Sequence, residues 1–406
     1  MVYRRIILVV LDGCGVGELP DASDYNDTDT ATLPHVAQAT GGLCLPHLGR
    51  MGLGNLADIA GVPKLQSGGG RLSDYGCGWG KMAEQSPGKD STTGHWEIAG
   101  VILPEPFPVF PDGFPKSLVR EFERRAGVRV VGNRAASGTD IILELGTDHV
   151  RTGRIILYTS ADSVWQMAAH EDVCPPQRLY ELCRIARELL TGEQAVARVI
   201  ARPFTGLVGS FVRTAGRRDF SLEPPRDTVL DQLVRLGIRT AAIGKVWDLY
   251  AGRGLTSRIK ASGNDRIMQA LDDFVRTDRE HSVAVTNLSD FDMLWGHRRD
   301  PDGFAAGLER FDRQLGELLP HFRDDDLLLI TADHGCDPTC QRHTDHTREY
   351  VPLLVCGRRV RPGVNLGVRE TFADVAATLA EIFEIGKLFP GRSFLSEILP
   401  GPPAEK

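Results

Sequence analysis

Residues 327–335 read Leu-Leu-Leu-Ile-Thr-Ala-Asp-His-Gly, an apolar run that ends in a carboxylate and an imidazole side by side. A short continuous apolar run of this kind is typical of a buried β-strand. A second imidazole returns soon afterwards in the stretch Asp345-His346-Thr347. Because carboxylate oxygens and imidazole nitrogens are common ligands of divalent metals, this strand end is predicted to form part of a metal site.

Two further strand-like runs end in side chains of the same kind. Asp12 follows the run Arg5–Leu11, and Asp292 and His297 follow the run Val283–Leu288. A strand-end Asp taken alone is more often a cap or turn former, so the prediction depends on the whole set. In an open parallel sheet, ligands bind beyond the carboxyl ends of the strands, where these groups are expected to meet. The predicted metal ligands are Asp12, Asp292, His297, Asp333, His334 and His346.

The number and chemistry of these ligands indicate which ions they would hold. Three Asp and three His are too many for one tetrahedral ion, so two ions are predicted. Several imidazoles beside carboxylates favour Mn, Zn or Fe over Mg. Paired metals about 4 Å apart are typical of phosphoryl-transfer sites.

A stretch rich in hydroxyl groups supplies a candidate nucleophile. Residues 88–97 read Gly-Lys-Asp-Ser-Thr-Thr-Gly-His-Trp-Glu. One interpretation is that a hydroxyl here only caps a helix. The functional interpretation is that a hydroxyl at a helix N-terminus lies where an anion is favoured, and that a nearby metal lowers its pKa. Ser91 is the candidate nucleophile and Thr93 the alternative.

Strand-like runs alternate with amphipathic stretches along the chain, which predicts an α/β fold with a mainly parallel sheet flanked by helices. Proline clusters at 104–111 and 224–225 are expected to act as stiff connectors. Residues 106–222 are therefore predicted to form an inserted α+β cap domain. Residues 1–105 and 223–406 would form the discontinuous metal-binding core. Further strand candidates are Ile155–Thr159, Arg239–Gly244 and Pro352–Cys356.

The predicted insert carries arginines clustered between residues 198 and 218. Guanidinium groups match phosphate oxygens in bidentate fashion, although a solvated face with ion pairs explains the cluster equally well. The polar stretch Thr159–Ser163 is a candidate for bonding sugar hydroxyls. The candidate substrate-binding residues are Ser160, Asp162, Arg202, Arg213, Arg217 and Arg218.

Composition limits the classes of partner. The chain has 406 residues, 42% of them apolar and 25% charged, with a net charge of −7. Lys and Arg are scattered, which argues against nucleic acid as the main partner. No apolar run approaches the roughly 20 residues of a membrane helix, and the N-terminal run is too short for a signal peptide. A cytoplasmic protein with eight reduced cysteines, Cys336 among them, is predicted; the oligomeric state stays open.

Taken together, these stretches resemble phosphopentomutases, a family of the metal-dependent alkaline phosphatase superfamily. The likeness covers essentially the whole chain and includes residues 10–13, 88–97, 158–164, 290–300, 331–335 and 344–349. It implies an alkaline phosphatase-like core and the interconversion of ribose 1-phosphate and ribose 5-phosphate, or of the 2-deoxyribose pair. The implied path runs through a phosphorylated Ser or Thr and a 1,5-bisphosphate, with a sugar bisphosphate such as glucose 1,6-bisphosphate as primer.

The resemblance also implies roles for individual residues. One Mn²⁺ would be held by Asp292, His297 and His346, and the other by Asp12, Asp333 and His334. The family usually has Thr at the nucleophile position, where this chain has Ser91. Because Ser is less hindered than Thr, the phosphorylated enzyme is expected to hydrolyse faster here.

Other functions are compatible with the same core. They are a metal-dependent phosphatase or phosphodiesterase, a phosphoglycerate mutase, and a non-catalytic sugar-phosphate sensor. The Trp-Glu continuation at 96–97 and the stretch at 344–349 argue against the phosphoglycerate mutase. The complete set of ligand residues argues against the sensor.

Overall fold

The computed structural model describes residues 1–66, 69–160 and 163–400. The chain divides into two compact units. The core unit comprises Met1–Glu105 and Pro224–Lys406, and the insert unit comprises Pro106–Glu223. In the described ranges no helix has the length and apolar character needed to cross a bilayer.

The strands are β1 (Arg5–Leu11), β2 (Arg71–Leu72), β3 (Tyr75–Met82), β4 (Val130–Ala135), β5 (Ile155–Thr159), β6 (Val164–His170), β7 (Arg198–Thr205), β8 (Val212–Arg213), β9 (Arg218–Ser221), β10 (Arg239–Ile243), β11 (Ser257–Ile259), β12 (Ser282–Leu288), β13 (Asp326–Thr331), β14 (Val351–Gly357) and β15 (Val364–Arg369). The α-helices are α1 (Thr32–Ala39), α2 (Pro46–Met51), α3 (Ser91–Ile98), α4 (Lys116–Ala126), α5 (Gly138–Thr152), α6 (Pro176–Leu189), α7 (Val229–Arg235), α8 (Val246–Leu249), α9 (Asn264–Thr277), α10 (Pro301–Leu318), α11 (Asp374–Ile382) and α12 (Leu395–Ile398). A π-helical turn covers Phe291–Gly296.

The core sheet has the strand order β11-β10-β12-β1-β13-β14-β3-β15, with β2 paired to β3. Strands β11, β10, β12, β1 and β13 are mutually parallel, so the carboxyl ends of β12, β1 and β13 lie side by side. Strand β14, however, runs antiparallel to both β13 and β3. The mainly parallel sheet is confirmed, and the carboxyl ends of its three central strands provide the site.

Burial explains why these segments form strands. Every residue of β1, β12 and β13 is buried, as expected for a parallel sheet with both faces covered by helices. Helix α10 buries Phe304, Leu308, Phe311 and Leu315 at the spacing that predicts an amphipathic helix. Burying a side chain of this size contributes about 1.5–3 kcal/mol.

Strand β3 has no counterpart among the predicted strands. Its sequence, Tyr-Gly-Cys-Gly-Trp-Gly-Lys-Met, contains three glycines, which are normally depleted in strands. A Cβ on Gly76 would lie 1.8 Å from the carbonyl oxygen of Val360, and one on Gly80 would lie 2.8 Å from that of Gly367. The glycines therefore permit a close backbone approach that local propensity does not register.

The insert unit has a sheet of its own with the order β4-β5-β6-β7-β8, and β9 pairs with β7. Parallel and antiparallel pairs both occur in it. One apolar cluster includes Phe122 of α4 and Leu182 of α6, and a second includes Ile141 of α5 with Tyr158 and Phe204. Helices thus cover two distinct faces of an α+β unit.

Candidate metal centre and nucleophile

The candidate metal ligands lie where the three central strands end. Asp12 follows β1 directly, Asp292 lies in the π-helical turn after β12, and Asp333 lies two residues beyond β13. Asp12 and Asp333 are fully buried, and Asp292 is 7% exposed. Three carboxylates therefore share a largely dry region at one edge of the sheet.

One group of potential ligands consists of Asp292, His297 and His346. The Nε2 atoms of both histidines lie 3.3 Å from Oδ1 of Asp292. The Nδ1 atom of His297 lies 2.6 Å from the carbonyl oxygen of Thr344 and must donate to it. In the neutral ring, Nε2 then presents a lone pair toward a carboxylate oxygen, which only a proton or a cation between them can satisfy.

A second group consists of Asp12, Asp292 and His334. His334 Nε2 lies 3.3 Å from Asp12 Oδ1, while its Nδ1 donates to the carbonyl oxygen of Gly335 at 3.0 Å. Asp333 lies beside this group, with Oδ2 3.7 Å from His334 Nε2 and Oδ1 accepting from Gly13 N–H at 3.2 Å. Asp292 is common to both groups, which the sequence did not indicate.

The charge balance of the two groups fits divalent cations. Among the described residues, Oδ2 of Asp333 has no hydrogen-bond donor, which is costly for a buried carboxylate. Burial alone would lower the pKa of His297, but the Asp292 carboxylate raises it to about 12. Burial also opposes protonation of His334, yet Asp333 raises its pKa well above the usual range. Both imidazoles therefore attract positive charge, which a metal with oxygen and nitrogen ligands would supply in place of protons.

Ser91 is the first residue of α3 and lies against these groups. The helix cap is Asp90, whose Oδ1 accepts from Thr92 N at 3.0 Å and Thr93 N at 3.2 Å, so the interpretation of the hydroxyl as a cap is wrong. Ser91 Oγ lies 3.2 Å from His334 Nε2 and 3.5 Å from Asp12 Oδ1. The hydroxyl of Thr93 instead donates to Asp90. Of the two candidate nucleophiles, Ser91 is the one that faces the ligands.

A glycine in the same stretch allows this arrangement. A Cβ on Gly94 would lie 2.0 Å from the backbone carbonyl oxygen of Asp333. Helix α3 can therefore pack its backbone directly against the segment that follows β13. The Gly in the motif is explained by this close approach, which brings Ser91 and His334 together.

Lys245 is a site residue that the sequence reasoning missed. It follows β10, and its Nζ donates to Ser91 Oγ at 3.1 Å and forms an ion pair with Asp12 Oδ2. Burial alone would lower the pKa of Lys245, but Asp12 and neighbouring carboxylates raise it, so the side chain is an ammonium. Its position just past the predicted strand Arg239–Gly244 was the one available signal.

The insert arginines divide between the two faces of their sheet. Arg202 Nε donates to Gln166 Oε1 at 2.9 Å, on the face that α5 covers. Arg213 pairs with Phe204, which lies two residues after Arg202 in β7 and therefore on the same face of the sheet. Arg213 thus lies on that face as well. Arg218 pairs with Ala201 instead and stacks over Tyr180. The structure therefore does not group Arg218 with Arg202.

The remaining candidates in the insert are Arg217, Ser160 and Asp162. Arg217 forms a two-pronged ion pair with Asp219, both N–O distances being 2.9 Å. Ser160 follows β5 and is half-buried. The candidate Asp162 lies outside the described residues.

Cys336 is fully buried beside the first ligand group, with Sγ 3.9 Å from His297 Nδ1. Burial and the Asp292 carboxylate raise the pKa of this thiol well above its usual range. The prediction of a reduced, inert thiol agrees with this environment, since the thiolate is the form that binds metal.

Comparison with known proteins places these residues in a family. The chain matches the metalloenzyme superfamily over residues 4–387. It is 52% identical to a phosphopentomutase of Desulfitobacterium hafniense, over 98% of this chain and 100% of that protein. It is also 52% identical to a phosphopentomutase of Caldanaerobacter subterraneus, over 97% and 98% of the two chains.

Among solved structures, the chain is similar to the PH0037 protein from Pyrococcus horikoshii. The identity is 16%, the TM-score is 0.47, and the match covers 96% of this chain and 100% of that one. The chain therefore belongs to the metalloenzyme superfamily and, within it, to the phosphopentomutase family.

Proposed function

We propose that this enzyme interconverts ribose 1-phosphate and ribose 5-phosphate, and the corresponding 2-deoxyribose phosphates, through a phosphorylated Ser91. The observation that carries the proposal is the position of Ser91 Oγ, which contacts Lys245, His334 and Asp12 at the start of α3. The substrates follow from the phosphopentomutases that are about 52% identical over nearly the whole chain.

The surroundings of Ser91 suit a phosphoryl acceptor. The N-terminus of α3 and the Lys245 ammonium both favour negative charge at this oxygen. Lys245 stabilises the alkoxide form of Ser91 and the charge that develops on the transferred group. These contributions are fixed before the substrate arrives, so little reorganisation is needed during transfer.

We propose that the two ligand groups hold two divalent ions, Mn²⁺ in the first instance. Asp292, His297 and His346 would hold one, and Asp12 and His334 the other, with Asp333 or the shared Asp292 completing it. When bound, such ions neutralise charge on the phosphoryl oxygens and lower the pKa of a nearby hydroxyl.

The reaction proceeds in two successive phosphoryl transfers. Phosphorylated Ser91 gives its phosphoryl group to the free hydroxyl of the pentose phosphate. The bond from phosphorus to Ser91 Oγ breaks, the bond to the sugar oxygen forms, and the hydroxyl proton passes to Ser91 Oγ as the 1,5-bisphosphate is made. Ser91 then accepts the other phosphoryl group, and the product leaves with its phosphate at the opposite end. An enzyme that loses its phosphate to water needs a bisphosphate such as glucose 1,6-bisphosphate to be phosphorylated again.

We propose that Arg202, with Arg213 nearby on the same face, binds the phosphate that is not being transferred. Burial lowers the pKa of Arg202, and only its Nε has a protein acceptor among the described contacts, at Gln166.

We expect Arg202→Ala to raise KM for ribose 5-phosphate by about tenfold, the value of one charge-assisted hydrogen bond. Arg218→Ala is the matched control from the opposite face. Equal KM values for Arg202→Ala and the wild type would contradict the assignment.

A product assay tests the proposed function. The purified enzyme is given ribose 1-phosphate, Mn²⁺ and a trace of glucose 1,6-bisphosphate, and ribose 5-phosphate and free phosphate are both measured. We expect ribose 5-phosphate to form faster with the primer and with little free phosphate. Stoichiometric free phosphate would show a phosphatase instead, and no turnover would favour a non-catalytic sensor.

Lys245→Met tests the role of the ammonium next to Ser91. The substitution keeps most of the side-chain volume but removes the donor to Ser91 Oγ. We expect kcat to fall about 10²–10³-fold, the range for losing one preorganised transition-state donor. Steady-state kinetics measures the effect, and the melting temperature shows whether the variant is folded. A folded variant with wild-type kcat would remove Lys245 from the mechanism.

A further inference from the structure

Asp27 is a fully buried carboxylate that belongs to neither of the ligand groups described above and that joins two segments of the candidate site. Its Oδ1 accepts from His343 Nε2 at 2.7 Å, and its Oδ2 accepts from the backbone N–H of Arg348 at 2.9 Å. Lys89 Nζ lies 3.0 Å from Oδ2 and 3.3 Å from Oδ1. All of these donors come from two loops, one before Ser91 and one around His346.

The loop around His346, residues 343–348, carries one candidate ligand and orients another. His343 and Arg348 flank His346, so Asp27 clamps the loop on both sides of that ligand. The carbonyl oxygen of Thr344, in the same loop, accepts from His297 Nδ1 at 2.6 Å and so directs Nε2 toward Asp292. The positions of both histidines in the Asp292–His297–His346 group therefore depend on this loop.

The tautomer of His343 is also determined. Its Nδ1 accepts from the backbone N–H of Asp345 at 3.3 Å, so Nε2 carries the proton that it donates to Asp27. Lys89, only two residues before Ser91, supplies the positive charge that balances the carboxylate. A single buried group thus ties the segment that presents the nucleophile to the loop that presents His346.

We infer that Asp27 is a positioning residue, which holds the 343–348 loop so that His346 and His297 meet Asp292 and which aligns that group with Ser91. The inference rests on the proposed metal-dependent function. Residues that orient metal ligands typically change metal affinity or activity 10–100-fold when they are replaced. Asp27 has no contact with the Asp12–Asp292–His334 group among the described hydrogen bonds. Its effect should therefore be confined to one of two metal equivalents.

The test is a Mn²⁺ titration of the resting enzyme without substrate, followed by the electron paramagnetic resonance signal of free Mn²⁺. For Asp27→Asn we expect one Mn²⁺ equivalent to bind 10–100-fold more weakly and the other to keep its affinity within about threefold. We expect kcat to fall by a similar factor while KM for ribose 5-phosphate stays within twofold.

The matched control is Asp312→Asn. Asp312 is also buried, and it accepts from the backbone N–H groups of His47 and Leu48 and contacts His47 Nδ1 at 2.8 Å. This variant should lose thermal stability as Asp27→Asn does, but both Mn²⁺ affinities and kcat should match the wild type. If Asp27→Asn also leaves both affinities unchanged, its role is merely structural and the inference is overturned.

If Asp27→Asn does not fold, His343→Ala removes one side of the clamp from a partly exposed position. It should weaken the same Mn²⁺ equivalent by about 3–10-fold, less than the 10–100-fold expected for Asp27→Asn, because the contact between Asp27 and the Arg348 N–H remains. Wild-type affinities for both ions in that variant would likewise overturn the inference. An incorrect proposed function would be distinguished from an incorrect role for Asp27, because in that case the wild-type enzyme itself would form no ribose 5-phosphate in the product assay.

Discussion

We expect Ser91→Ala to abolish pentose phosphate interconversion, with kcat reduced by at least about 10⁴-fold. The proposed phosphoenzyme forms on Ser91 Oγ, and no other described hydroxyl has the same contacts with Lys245 and His334. Thr93, the nearest alternative in the sequence, donates its hydroxyl to Asp90. The loss can be measured by phosphorus NMR, and mass spectrometry after incubation with glucose 1,6-bisphosphate should find no phosphopeptide covering residues 88–97.

Ser91→Thr is the control for this result, because it keeps a hydroxyl at the same position. We expect it to retain turnover and to form a phosphoenzyme that hydrolyses more slowly, since the Thr methyl group hinders attack by water. Residual activity of Ser91→Ala above a tenth of the wild type, with phosphate found on Thr93, would contradict the assignment of the nucleophile.

Asp292→Asn is expected to have the second largest effect. Asp292 Oδ1 faces both His297 Nε2 and His346 Nε2, and the same residue belongs to the group formed with Asp12 and His334. Loss of its charge should weaken both sites at once. We expect kcat to fall by more than the 10–100-fold that is typical of residues which only support a ligand. Metal analysis after gel filtration should find fewer than two Mn²⁺ per chain.

Asp290→Asn is the matched control in the same turn. Asp290 Oδ2 accepts from Asn264 N–H at 2.7 Å and belongs to neither ligand group in the described part of the chain. It should retain two Mn²⁺ and most of the activity. If Asp292→Asn kept two tightly bound ions and wild-type kcat, a shared role for Asp292 would be excluded.

Much of the fold could be predicted because its signals are local. Continuous apolar runs located β1 and β5 with the bounds that the structure has, and β10, β12, β13 and β14 to within a residue or so. The direction of β14 could not be predicted in this way, because a buried strand has the same apolar sequence whether it runs parallel or antiparallel to its neighbours. Strand β3 was missed since its glycines serve contacts with segments nearly 300 residues away.

The candidate site likewise contains residues that the sequence identified and residues that it did not. Six candidate ligands could be named because Asp and His residues in the segments that follow strands are visible in the sequence. Lys245 and Asp27 were missed because each is an ordinary residue whose partners, Ser91 and the 343–348 loop, lie far away along the chain. Arg218 was grouped with Arg202 by proximity in sequence, whereas strand pairing assigns them to opposite faces. Proximity in the sequence does not predict which residues the folded sheet brings into contact.

The strand order of the core also has a consequence for synthesis on the ribosome. In the part of the chain that the structure describes, β1 pairs with β12 and β13 alone, so its backbone has no sheet partner until residues 282–331 have been made. At typical translation rates that interval is roughly 15–60 seconds. The six described strands of the insert form a sheet of their own and can pair during this time. While the insert folds, β1 is an apolar strand without a partner in the nascent chain. Its association with other chains must therefore be avoided until β12 and β13 have been made.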